Sequence, residues 1–423
     1  MKNNQKQLKL LIVSSVATSA LPLISVAENK IAIQVQHYQE NDVRITINDV
    51  IFCIELDFGT DHTLNREFDW DSISGASPTW DSVSGASSAI VSDDIDGESG
   101  ASPCLDSEGS YYNLCSDTRA SEDLVGDGYK ELSELTYKNV ALDDYRNSLA
   151  LLYTYRKPVT RDEIYLGTSY SKEGDFVNKG ISAEYLMYTD SSKNRAFTIG
   201  ASYMNNEVYD YIEDHWNEFD LFNTQFGITQ VFNKGLVAKL NGYYMQENGH
   251  LSNPYFTVIR RINVAINIED PVYFKYYLAR DSRPDERIAG GISSQLVKEI
   301  NSKNTIHASY RYYQDDWAVK SHTLDSKSYH RVGNSFRVSP GLRLYQQSAA
   351  NFFKDNNASD NVFNETGYAS ADQRLSDNSS WTAQFAVEYF QNADLTWNAV
   401  GGYQEQTTGL TFSWVNFGAQ YKY

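Results

Sequence analysis

The sequence predicts an all-β chain: a transmembrane antiparallel β-barrel of about 16 strands, with about 14 as the alternative count, and long outer loops. Three observations carry this. Apolar and polar residues alternate with period two through many segments, which puts one apolar and one polar face on each strand. Mean hydropathy is −0.50 and no stretch after the leader is apolar enough for a spanning helix, so a closed sheet is the remaining way across a bilayer. The 31 Tyr, 19 Phe and 7 Trp suit two interfacial girdles, while a hydrophobic share of only 41% suits a wet interior. A secreted soluble β protein would also alternate and is the competing reading.

Residues 1–27 read as a signal peptide. Lys2, Lys6 and Lys9 form a basic region, Leu10–Ala17 a short apolar run, and Ser25-Val26-Ala27 a small-x-small cleavage site before Glu28. The barrel is then expected over 28–423. Ile31–His37 opens it. Val50, Phe52, Ile54, Leu56 and Phe58 alternate down to the Gly59-Thr60-Asp61 turn, and the chain returns through Leu64, Phe68 and Trp70 with Glu67 and Asp69 facing inward. Arg66 interrupts the apolar face; a cation costs about 2–4 kcal/mol at the bilayer midplane, so it belongs near an interface.

A repeat follows, Trp70-Asp-Ser-Ile-Ser-Gly-Ala-Ser77 and Trp80-Asp-Ser-Val-Ser-Gly-Ala-Ser87, with a degenerate copy at Ile95–Ser102. Its turn-forming residues read as loop, part of a long acidic loop over 72–145. Asp93–Asp127 holds ten acidic residues and one basic. It does not fit the twelve-residue calcium pattern, so a solvated loop is preferred to a metal site. Cys104 and Cys115 are spaced to close a small loop by disulfide in an exported chain. Cys53, inside a strand, reads as a small buried apolar residue.

Strands resume at Leu149–Tyr155, Ile164–Tyr170, Ile181–Met187 and Phe197–Tyr203, then at Phe222–Phe232 and Leu236–Met245. A second excursion over 249–285 carries a β-rich insert. The clearest stretch runs from Ile306 to Tyr345, a third excursion spans 354–378, and two more strands follow. Val415, Phe417, Ala419, Tyr421 and Tyr423 alternate to the aromatic end. This strand resembles the C-terminal signature by which the barrel-assembly machinery recognises outer-membrane barrels, and it would close the sheet on its first strand.

Several motifs then carry a resemblance. Asp57-Phe-Gly-Thr-Asp61, Asp71–Pro78, Leu251-Ser-Asn-Pro-Tyr255, Arg283-Pro284, Tyr312–Trp317 with Lys320–Thr323, and Tyr345–Phe353 occur in one order. The chain thereby resembles a bacterial family catalogued as domain of unknown function 3570, a set of outer-membrane barrels. The resemblance implies a fold and the outer membrane of a Gram-negative cell, and no established activity. It covers nearly all of the mature chain and departs at the Val258–Leu278 insert and the cysteine-bearing loop.

A net charge of −19 argues against nucleic acid as partner. Against that charge, Arg287, Arg311, Lys320, His322, Arg337 and Arg343 are expected on the lumenal faces of four consecutive strands, a basic wall favouring small anionic solutes. The competing reading is plain charge balance with Asp315, Asp316 and Glu388, or pairing with an inward-folded acidic loop. Ser321 and His322 are sequence neighbours on opposite faces and cannot act as nucleophile and base, and no Gly-x-Ser-x-Gly elbow or metal-ligand cluster occurs. The expected function is therefore non-enzymatic and without a cofactor: a porin-like channel or binding barrel in outer-membrane lipid. The alternative is a structural or docking barrel for a periplasmic or surface partner protein, with a membrane hydrolase as a third reading.

Overall fold

The structure, a computed structural model, describes residues 29–41, 45–82, 135–210, 214–264, 273–355 and 361–423. The leader, the acidic segment with its calcium reading, Cys104 and Cys115 lie outside them.

Period-two sequence becomes paired strand almost throughout. The first wall strands are β1 (Lys30–Glu40), β2 (Ile45–Phe58), β3 (His62–Ser82), β4 (Leu135–Arg156), β5 (Glu163–Lys172) and β6 (Phe176–Tyr188). Next come β7 (Arg195–Asp210), β8 (His215–Asn233) and β9 (Leu236–Gly249). After β10 (Thr257–Val264) and β11 (Tyr273–Arg280) the wall continues as β12 (Glu286–Asn301), β13 (Asn304–Asp315), β14 (Lys320–Val332) and β15 (Phe336–Gln347). The short β16 (Val362–Asn364) precedes β17 (Asn378–Phe390), β18 (Leu395–Gln406) and β19 (Thr411–Lys422). Sixteen of these strands close a barrel, while β11, β10 and β16 form a separate three-stranded sheet. Every wall pairing is antiparallel. The seam joins β1 to β19 in the register Ile31↔Tyr421 and Val35↔Phe417, so the alternating last strand leaves no open edge.

The repeat departs from the sequence reading. β3 runs to Ser82 and β4 begins at Leu135, so the first repeat copy is strand. The two strands pair from His62↔Tyr155 up to Ser82↔Leu135. Small residues that look turn-like in isolation are held extended by this ladder; the excursion is 83–134, not 72–145. The third excursion likewise begins at residue 348 and holds β16.

The strand order makes the ends unequal. Turns at 59–61, 157–162, 189–194, 234–235, 302–303, 333–335 and 391–394 share one end with Lys30 and Tyr423. All three long excursions, 83–134, 250–285 and 348–377, leave from the other. The outer face is apolar and uncovered: Ile181 is 62% exposed, Ile199 60% and Phe417 59%. On a soluble protein such a belt would be an aggregation surface; around a closed barrel it is the lipid-facing band. Arg66 sits on this outer face near the β2–β3 turn, as an interfacial cation should.

Candidate functional site

Two features face the barrel axis: the charged lumen and the sheet at its mouth. The register decides which basic residues line the lumen. Arg311 pairs with Thr323, and Thr323 with Tyr345, in one inward-facing row. Arg287, Arg311, Arg337 and Arg343 face inward. Lys320 and His322 do not: His322 is opposite Tyr312, and Lys320 opposite Gln314, on the outer face. The His322 ring makes a 2.7 Å hydrogen bond through Nδ1 with the Tyr310 hydroxyl, among the interfacial aromatics. The misreading has a physical origin. β14 is polar on both faces, and Leu324 is the sole large apolar residue to set its phase before Val332. Ser321, by contrast, faces inward, so it and His322 lie on opposite sides of the wall. The lumenal cations of β14 are Lys327, opposite His307, and Arg331, opposite Arg337 at the strand's end.

The wall is partly neutralised. Arg287 bonds Asp315 at 2.6 and 2.9 Å, approaches Glu247 at 3.6 Å and stacks 4.5 Å from the Trp317 ring centre. It is a sequestered structural ion pair. Arg337 pairs with Glu388, and Arg343 approaches Asp325 at 3.7 Å. Among the described residues, no hydrogen bond or ion pair engages the Arg311 side chain.

Across the ring lies the opposite charge. Seven strands separate β3 from β13 in either direction, so they face each other across the lumen. β2 and β3 turn Asp49, Glu55, Asp57, Glu67, Asp69 and Asp71 inward. Arg146, on β4, answers part of this acid, bonding Asp69 at 2.9 Å and pairing with Asp71. Sequence reasoning missed Arg146 because its partners are 77 residues away for Asp69. Cys53 belongs to this wet wall, its thiol 3.6 Å from Glu67; it is not an apolar core residue.

The mouth is covered. β10 pairs antiparallel with β11 and parallel with β16, joining the excursion between β9 and β12 to that between β15 and β17. The sheet touches β3 on the far side of the ring. Arg280 of β11 pairs with Asp210 at the upper end of β7. Inward residues of the upper wall are consequently buried, Asp210 to 1% and Leu221 to 2% exposure, whereas the Arg337 and Arg343 side chains keep 42% and 35%. The motif residues converge here. Trp317, Val319, Ala350, Phe352 and Leu375 form an apolar core with Leu251 and Phe353 packed against it. Trp317 Nε1 donates to the Glu286 carbonyl at 3.0 Å.

The same two excursions are joined by an ionic knot. Arg283 bonds Asp281 at 2.6 Å and Asp372 at 2.8 Å; Arg374 Nε bonds both Asp372 oxygens at 2.9 and 3.0 Å; the Asn253 side chain reaches Asp372 at 3.3 Å. Asp281 and Asp372 are fully buried side chains. Burial pushes the Asp281 carboxyl up, with Arg283 opposing. Burial would raise Asp372 as well, but the Arg374 and Arg283 guanidiniums outweigh it and hold that carboxyl well below the usual carboxylate range.

No curated protein matches the chain. Among solved structures it is similar to OmpT of Vibrio cholerae lacking loop L8, at 8% identity and TM-score 0.41, over 94% of this chain and 99% of that one. It is also similar to CdiB from Acinetobacter baumannii, at 8% identity and TM-score 0.47, over 94% and 60%. The siderophore receptor PirA from Pseudomonas aeruginosa matches at 7% identity and TM-score 0.38, over 90% of this chain and 56% of the receptor. The chain thus spans little more than half of that receptor. A family model matches both halves, residues 9–220 and 210–412, and the chain belongs to the family described as Protein of unknown function (DUF3570).

Proposed function

We propose that the chain is an outer-membrane barrel of a Gram-negative cell that binds or passes small anionic solutes, with a built-in cap over its outer mouth. One observation carries this reading: Arg311, Lys327, Arg337 and Arg343 face inward on three adjoining strands, in a half of the lumen the cap leaves accessible. A concentrated cationic surface beside a low-dielectric wall raises the local concentration of anions. The last strand would carry the signal for the assembly machinery, and no catalytic role is assigned to any residue.

The test is a planar bilayer under a potassium chloride gradient. The reversal potential should lie toward the chloride side, and Lys327→Gln with Arg343→Gln should move it toward zero. A cation-preferring pore, or one indifferent to both substitutions, rejects the reading. The covered mouth favours the second reading, a docking barrel for a periplasmic or surface protein. A wild-type chain and a chain with a loosened cap that both remain non-conducting would select it.

A further inference from the structure

On the lumenal wall, an arginine and an orphaned hydroxyl meet in one register row. Arg311 stands there without a hydrogen bond or ion pair among the described residues. Thr323, its register partner on β14, is 2% exposed, and its hydroxyl has no partner among the described residues. On β15 the next residue of the row is Tyr345, whose hydroxyl donates to Gln347 at 2.6 Å. The fourth member comes from β9. Tyr243 leans across β12 because position 291 is glycine: a Cβ there would meet the Tyr243 hydroxyl at 2.5 Å and its ring carbon Cζ at 2.7 Å. Arg311 acts electrostatically on both Tyr243 and Tyr345.

We infer that Arg311, Thr323, Tyr243 and Tyr345 form a binding subsite for a carboxylate-bearing small solute with an apolar or aromatic body. The inference rests on the anion-leaning reading of the lumen and adds a discrete site and a ligand class to it. The planar guanidinium fork matches a carboxylate in two parallel bonds, which an ammonium cannot reproduce. The buried threonine hydroxyl supplies a neutral donor that otherwise carries the cost of desolvation unanswered. Two tyrosines give flat apolar walls with polar tips. Charge count selects a monoanion: Arg311 and Arg343 both act on the Asp325 carboxylate, Arg343 from 3.7 Å, so two cations face one anion there. A phosphate dianion would want more.

The test is calorimetry on the full chain folded in detergent, with benzoate as probe and acetate and inorganic phosphate as comparators. Benzoate should bind saturably and more tightly than either. Arg311→Gln and Arg311→Lys should each weaken it by about tenfold or more, and Thr323→Val by a few-fold. Heat-modifiable migration on gels verifies that each variant is still a closed barrel. Absence of saturable benzoate binding, binding indifferent to Arg311→Gln, or a preference for phosphate would each overturn the subsite. The bilayer measurement separates the two ideas. A chloride-preferring pore that ignores benzoate loses the subsite and keeps the passage reading, whereas Arg311-dependent benzoate binding in a cation-preferring pore does the reverse.

Discussion

Replacing Asp372 with Asn is expected to release the cap while leaving the barrel closed. Asp372 is the node at which Arg283, Arg374 and Asn253 meet, and its side chain is only 1% exposed. The amide keeps the volume but removes the charge: Arg374 loses its carboxylate, and Arg283 is left with Asp281 alone. Breaking a fully buried pair in this one-sided way costs about 3–5 kcal/mol, and the cost here lies below that because Arg374 is 41% exposed and Arg283 keeps Asp281. The cost falls on the excursions because the knot ties Asn253 and Arg283, between β9 and β12, to Asp372 and Arg374, between β15 and β17. Amide hydrogen exchange over 250–285 and 348–377 should accelerate, conductance should rise, and heat-modifiable migration should stay as it was. Unchanged protection across both excursions would show that the knot does not hold the cap. The same residue fixes the pH response. Because Asp372 titrates well below its ordinary value, its contribution is complete above the unfolded pKa of about 3.9 and disappears only as pH falls through the lower folded one. Asp281 is raised, so its folded form takes up a proton first and gains stability as pH falls into that range. Cap protection, corrected for intrinsic exchange, should therefore hold or increase from neutral pH down to about pH 4.

The second large effect is expected at Gly249, where β9 ends and the chain leaves the wall. Its φ is +118°, a conformation closed to residues with a side chain, and an added Cβ would lie 2.8 Å from the Phe219 Cα on β8. The exit is also pinned by hydrogen bonds, Gly249 N to Asp285 O at 2.8 Å and His250 N to Glu218 O at 2.9 Å. Gly249→Ala adds about 1–3 kcal/mol of backbone strain, and the clash is with main chain that cannot swing aside. Limited proteolysis should cut within 250–285 well before the wall strands. A cleavage pattern and rate equal to wild type would show that the exit geometry is dispensable.

The barrel was legible because its signal is repeated. Val415, Phe417 and Ala419, or Trp381, Ala383 and Phe385, each state an inside and an outside, and closure follows from many such statements agreeing. The phase of β14 was not legible, since Lys320, His322, Ser326, Ser328 and His330 supply no apolar face and only pairing with β13 settles it. Cys53 and the Trp70–Ser77 repeat were misread for a related reason: their residue types fit turns or cores in isolation, and the partner strand overrules them. The candidate site was legible in part. Arg311 and Arg343 could be placed by alternation, but Lys327, the Arg146 pairings and the lean of Tyr243 over Gly291 depend on neighbours that no local window contains.

The mouth sheet also imposes an order of events. β10 and β16 lie roughly 100 residues apart along the chain, and a contact that distant is entropically costly to form from a loose polypeptide. Once β12 through β17 have zipped together, the same two segments emerge from nearby points on one rim and the distance collapses. The cap is therefore expected to lock only after the wall strands that carry it have paired.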